Sequence, residues 1–368
     1  MKIYFDNAAT TKPNGQVIQA MNEIANRNFY NSSALYEDSL VVKNIITSAR
    51  QTVLSKLSKT NNGDIVFTSG ATESNNMVIF GKVTAKRNHA IVFMGEHSSV
   101  FEPFKYLHDN GFEIDFVPLQ SNGTVDLTAL KGFVRENTSL LVFGLVNSDT
   151  GTIQDARTIS SIVKTINPRV HIHCDATQGF CKLPFYVEDL GVDSIAISAH
   201  KIHGPKGIGG LWLKKGSTLR PMMYGGGQQN LRPGTMDTPS IVGFAKAVEV
   251  FNTEENFKHV SALHEYLVSN LPSTCNINGV NSNPYITNIQ LPNGVMGQSV
   301  MNALDGNGIV IGLGSACSSS SGKNRTLSAM GHSDNKTKQV IRVSFSHENT
   351  IGEVSQLIEQ LNSALKFL

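Results

Sequence analysis

The sequence predicts an α/β protein: a large domain on a mostly parallel sheet, with a smaller α+β domain beside it. Three observations carry that expectation. Between about Lys43 and Trp212, short unbroken apolar runs recur along the chain. The segments separating them have helical rather than alternating periodicity. After Val242 the pattern changes to a long helical stretch followed by a few scattered strands. Strands that are apolar along their whole length are buried on both faces, and helices in the crossovers are what bury them in a parallel sheet.

Taken in order, the candidate strands are DIVFT (64–68), AIVFM (90–94), EIDFV (113–117), LLVFG (140–144), VHIHC (170–174), SIAIS (194–198) and GGLWL (209–213). Amphipathic segments at 73–83, 127–136 and 156–166 are the helices between them. The helical stretch after Val242 is expected to run to about Ser269. Beyond it come YITNIQL, a helix at 300–305, VIRVSF and a closing amphipathic helix at 351–368. The amino-terminal strand is expected to return to this second part. The large domain is therefore assigned to residues 15–250. The small domain takes 1–14 and 251–368, with the Ser/Gly-rich loop GLGSACSSSSGKN (312–324) inside it. No internal repeat is present.

A 368-residue chain with 40% hydrophobic residues can bury a large core. Its formal net charge of +2 gives no reason to expect direct contact with nucleic acid or a membrane surface. The start MKIYFDNAATT is not a signal peptide, and no stretch reaches the roughly 18 apolar residues of a membrane span, so a cytoplasmic location is expected. The cysteines Cys174, Cys181, Cys275 and Cys317 form no C-x-x-C pair, which argues against a metal site or a disulfide framework. Cys174 and Cys275 read as structural, and Cys181 is left open. Only Cys317 has a context that invites chemistry.

In an open α/β sheet ligands bind where strands end, so the segments after strands hold the candidates. Lys201, in SAHKIHGPKGIGG (198–210), follows a buried strand directly. An ammonium there is costly unless it loses its charge, for example to an aldehyde cofactor, although an exposed turn lysine would read the same way. Asp175, in HCDATQG (173–179), also ends an apolar strand; it suits either a pyridine-nitrogen partner or a helix cap. SGATESNN (69–76) passes from strand to helix through Gly and hydroxyl residues, which fits a phosphate site or an ordinary cap. His97 in MGEHSS could stack on a ring, and Arg342 in VIRVSF could take a carboxylate in a bidentate pair or form a strand-face salt bridge. No G-x-G-x-x-G follows a strand, and no P-loop is present.

Together these segments resemble the cysteine desulfurases of the NifS/IscS type, within the class V aminotransferase group of fold-type-I pyridoxal 5'-phosphate (PLP) enzymes. The likeness runs in order through YFDNAATT (4–11), SGATESNN, EHSSV (96–100), GTIQ (151–154), DATQG, SAHKIHGPKGIGG, GGG…RPGT (225–235), GSACSS (314–319) and IRVSF (341–345). The resemblance implies that Lys201 joins the PLP aldehyde and later moves protons, that Asp175 pairs with the pyridine nitrogen, that Gln178 bonds the ring hydroxyl and that His97 stacks on the ring. It implies that Thr72, Ser198 and His200 hold the phosphate, with Ala71 a further cofactor contact and Thr235 reaching the phosphate from the second subunit of a homodimer. Arg342 clamps the carboxylate of L-cysteine. Cys317 takes the substrate sulfur as a persulfide and passes it to a sulfur-acceptor protein.

The chain departs from the family pattern at VNSDTG (146–151), where Ser148 stands for a usual Asn beside the cofactor and keeps the cofactor-binding assignment, while Asn147, assigned with Arg342 to substrate binding, is the neighbour able to compensate. Tyr36 replaces a usual histidine, and GGGQQNLRPGT is one residue short of the common form. Two other readings fit the same motifs: a selenocysteine lyase or other PLP β-lyase, and a weakly catalytic paralogue acting as a binding or assembly partner.

Overall fold

The computed structural model describes residues 2–60, 62–226, 229–314 and 324–367. After β1 (Ile3–Tyr4) come β2 (Gly63–Thr68), β3 (His89–Phe93), β4 (Glu113–Val117), β5 (Thr138–Gly144), β6 (His171–Asp175), β7 (Ser194–Ser198) and β8 (Gly209–Lys214). These last seven are the expected apolar runs, and they form one sheet in the order β2-β8-β7-β6-β5-β3-β4. β8 is antiparallel to both of its neighbours, and every other pairing is parallel. Two reversals restore direction, so β2 runs the same way as β7. The other six strands therefore all end on one edge, which is where ligand-binding loops gather.

Side chains on a strand alternate between faces, and here each face has its own core. Ile91 and Phe93 of β3, Leu141 and Phe143 of β5, Ile172 and Cys174 of β6 and Ile195 and Ile197 of β7 join the larger cluster. Ala90, Val92, Leu140, Val142 and Leu211 face the other way, against Met77, Val78 and Ile79 of the helix Ala71–Lys82. That helix lies over the same face of β6 that carries His171, His173 and Asp175.

The long helical stretch expected after Val242 is two helices, Thr238–Val250 and Thr253–Ser269. The break has a local cause. Asn252 leaves the helical conformation and its side chain accepts the Glu255 amide hydrogen, capping a new helix where the periodicity alone suggested continuity. Further on, β9 (Asn276–Asn278), β10 (Ile286–Gln290) and β12 (Val340–Ser344) form an antiparallel sheet in the order β12-β10-β9. The amino terminus returns as expected: β1 pairs in parallel with β11 (Ile309–Val310). Phe5, fully buried, meets Phe345 edge-on with ring centroids 5.6 Å apart. This closure places residues 6–11 along the carboxyl edge of the large sheet.

Candidate active site

A cavity of ≈ 610 Å³ opens on that edge, and its lining includes Ala71, Thr72, His97, Asn147, Ser148, Asp175, Gln178, Ser198, His200, Lys201 and Arg342. Asp175 is the last residue of β6. Lys201 closes the single 3₁₀ turn Ala199–Lys201 that follows β7, the neighbouring strand. Lys201 Nζ donates to the carbonyls of Ala8 and Ala9, at 2.6 and 2.7 Å. Burial, aided by the Arg342 charge, pushes its ammonium down to about 8, while Asp175 and Asp6 pull the other way. A lysine in that condition is part-way to being a nucleophile near neutral pH.

Asp175 is anchored from behind. Oδ2 accepts from Asn75 Nδ2 at 2.8 Å and Oδ1 from the Thr177 amide at 2.9 Å. At the other end of the cavity, Gly70 (φ 154°, ψ 176°) leads into the helix Ala71–Lys82 with no side-chain cap. Neither Thr72 nor Ser74 caps the helix, so its first amide hydrogens are left for an anion. The loop also lies directly on β8: a Cβ on Gly209 would meet Gly70 Cα at 2.7 Å. Glycine at 209 is what lets the two backbones approach.

His97 Nδ1 accepts the Ser99 amide hydrogen at 3.1 Å and lies 2.8 Å from Ser99 Oγ. Burial lowers its pKa below the usual imidazole value, so the ring is neutral at pH 7. His200 is also neutral, held at about 4 by burial and by Lys201, Lys182 and Lys206. Gln178 Nε2 donates to Ala8 O at 2.8 Å and Oε1 accepts from Lys182 at 3.2 Å, which leaves one amide hydrogen for a ligand. Arg342 Nη2 pairs with Asp6 at 2.8 Å and Nη1 donates to Ser148 O at 2.9 Å. Asn147 turns its carboxamide toward backbone, donating to Gly95 O and accepting from the amides of Asp149 and Thr150.

Thr235 does not line this cavity. It belongs to a second one of ≈ 730 Å³, with Asn31, Ser32, Lys43, Arg50 and Gly234. Cys317 lies outside the described residues, between Gly314, which lines the first cavity, and Asn324. The remaining cysteines are buried; burial raises the Cys174 and Cys275 thiols and pushes Cys181 up to about 12. Those three are poor nucleophiles.

Sequence reasoning missed several residues at this site. Glu96 is buried beside Asp175, and burial raises its carboxyl to about 8 against the pull of the Gly144 amide. Arg325 donates to Glu96 O at 2.6 Å and stacks over the Phe101 ring at 4.0 Å. Lys182, buried under Gln178, is lowered to about 7 by burial. Glu96 stands next to His97 after a strand and was readable as a strand-end carboxyl. Arg325 and Lys182 carry no such signal.

The donor set fits PLP. A depressed lysine and a carboxylate come from adjacent strand ends, and an uncapped helix start lies within reach for the phosphate. Three buried polar atoms of lining residues, Thr177 Oγ1, Arg325 Nε and Arg342 Nε, have no partner among the described residues. An apolar ligand would leave them so; a polar one can satisfy them.

The profile of the aminotransferase class-V family matches residues 3–357. A protein of Archaeoglobus fulgidus named cysteine desulfurase IscS 1 is 36% identical over 99% of this chain and 97% of its own length. Among solved structures, a NifS-like protein superposes with a TM-score of 0.92 at 34% identity, covering both chains fully. A structure titled SspA in complex with cysteine has a TM-score of 0.84 at 30% identity, over 95% of this chain and all of the other.

Proposed function

We propose, on the premise that the chain belongs to the aminotransferase class-V family, that it is a PLP-dependent cysteine desulfurase converting L-cysteine to L-alanine. One observation carries the reading. Lys201 and Asp175, from neighbouring strand ends, share a cavity with an arginine that retains an unpartnered N–H. The names borne by the relatives agree with it.

When bound, PLP supplies an electron sink that weakens bonds around the substrate's α and β carbons. Everything else falls to the protein. Lys201 would hold the cofactor aldehyde and, when free of it, move a proton at Nζ. Asp175 would keep the pyridine nitrogen protonated, His97 would cover the ring and Gln178 would offer its free N–H to the ring hydroxyl. Thr72, Ser198 and His200 would hold the phosphate, with Ala71 a further cofactor contact. Arg342 binds the substrate carboxylate through Nε and Nη2, with Asp6 giving way. The Cys317 thiolate bonds to the substrate sulfur as the Cβ–S bond breaks, the electron pair of that bond stays with Cβ, and Cβ takes up one proton to become the methyl group of alanine.

The persulfide then passes to an acceptor protein. Thr235, remote from the cavity of its own chain, serves the site of a second copy in a homodimer. The assigned units are a PLP-binding body of residues 15–250 and a smaller one of 1–14 and 251–368 that carries the Cys317 loop. Among the described residues no helix is long and apolar enough to cross a membrane. A cytoplasmic location is part of the proposal.

The test is alanine and sulfide release from L-cysteine with a thiol reductant, comparing wild type with Cys317→Ala. Wild type should make alanine, while the variant stays yellow with bound PLP and inactive. Equal sulfide release by the variant removes Cys317 from the mechanism. Pyruvate and ammonia in place of alanine would make the protein a β-lyase.

A further inference from the structure

Behind Asp175 runs a chain of buried polar groups that the reaction scheme does not use. Period-two alternation puts His171, His173 and Asp175 of β6 on one face of the sheet, under the helix that carries Asn75. Ser194 opens β7 alongside His173. The contacts are continuous: His171 Nε2 to Ser194 Oγ at 2.8 Å, Ser194 Oγ to His173 Nδ1 at 2.8 Å, His173 Nε2 to Asn75 Oδ1 at 2.9 Å and Asn75 Nδ2 to Asp175 Oδ2 at 2.8 Å. Asn75, His173 and Ser194 are fully buried, and His171 is 5% exposed.

The direction of every bond follows from the chemistry of the groups. An ionised carboxylate only accepts, so the Asn75 atom facing Asp175 must be its nitrogen. Asn75 Oδ1 then needs a donor, which must be His173 Nε2–H. Burial holds His173 at about 4 and, with Lys82 and Lys164 nearby, lowers His171 well below the usual imidazole value, so both rings are neutral. A neutral imidazole that donates at Nε2 accepts at Nδ1, so Ser194 donates its hydroxyl hydrogen to His173 and accepts from His171. All four bonds point toward Asp175. A carboxamide cannot exchange donor for acceptor without turning over, so a proton on Asp175 Oδ2 would face the Asn75 N–H and break the chain.

Asn75 also reaches His97, the residue that would cover the ring. Its second amide hydrogen reaches Ser99 Oγ at 2.9 Å, and Ser99 Oγ lies 2.8 Å from His97 Nδ1. Ser99 then donates to Nδ1, which leaves the His97 hydrogen on Nε2.

We propose that Asn75 is a positioning residue for both Asp175 and His97, and that His171, Ser194 and His173 form a one-way hydrogen-bond chain that keeps Asp175 an unprotonated acceptor. The proposal rests on the PLP reading above. It is tested on the full-length enzyme loaded with PLP carrying ¹⁵N in its pyridine ring, by following the ring nitrogen's chemical shift against pH. His173→Phe should lower the pH at which that nitrogen loses its proton, with a loss of roughly tenfold or more in the protonation constant. His173→Gln, which can again donate to Asn75 Oδ1, should restore most of it. Ser194→Ala should shift it in the same direction by less, and it decides the matter if His173→Phe does not fold. Wild-type titration curves in His173→Phe, or in Ser194→Ala where that variant decides, overturn the proposal. A wild type that forms no yellow complex with PLP at Lys201 sinks the cofactor reading instead.

Discussion

Lys201 shows how far a single position was readable. A charged residue directly after an apolar strand announces itself, as does Asp175, because the cost of burying either demands a reason. Asn75 and His173 announce nothing: an amide on a helix and a histidine in a strand become meaningful only when tertiary packing brings them within 2.9 Å. For Lys201 the structure adds a sign. Only the neutral amine can attack an aldehyde, and with its pKa lowered to about 8 its reactive fraction grows as pH rises through that value. Uptake of PLP by the cofactor-free protein, followed by absorbance, should therefore accelerate around pH 8. Arg342→Met removes a charge that lowers the lysine and leaves Asp6 without its partner, and both changes favour the ammonium. The midpoint should move upward; a midpoint that stays put or falls would show that Arg342 does not act on Lys201.

Among the elements, strands were the most legible because full burial of a parallel sheet makes each one an unbroken apolar run. Helix ends were less so. The helix Ala156–Ile166 starts and stops where periodicity predicts, with Asp155 as its cap. The Thr238–Val250 and Thr253–Ser269 pair hid its break, since the residues on either side keep helical spacing. Short strands such as β9 and β11 gain their identity from their partners and cannot be read alone. The cap at Asn252 gives the break an energetic test. Asn252→Ala removes the acceptor for the Glu255 amide and should cost about 1 kcal/mol, read as a lower denaturant midpoint at unchanged slope. PLP uptake should not change, because this helix end lies outside the cavity lining. An unaltered midpoint would mean that the break is set by packing, not by the cap.

For the whole molecule, the fold buries neutral imidazoles in two places that hold it together. His171 and His173 lie between the sheet and the helix Ala71–Lys82. His200 and His203 pin the amino-terminal segment, through Thr10 Oγ1 at 3.1 Å and Lys12 O at 2.9 Å. Burial lowers all four, His173, His200 and His203 to about 4 and His171 well below its usual value. An unfolded chain titrates these rings near 6.5, so below that pH it binds protons that the folded chain refuses. Stability from this source is complete above pH 6.5 and is lost as pH falls toward 4. Glu96 works in the opposite sense. Its carboxyl is raised to about 8, so the folded chain holds a proton that the unfolded one releases between 8 and 4.5. Four rings outweigh one carboxyl between pH 6.5 and 4.5, and the melting temperature should fall steeply across that interval. His203→Gln removes one of the four protons and should flatten the descent. A wild-type curve no steeper than the variant's would mean that the amino-terminal strap is not what acid releases.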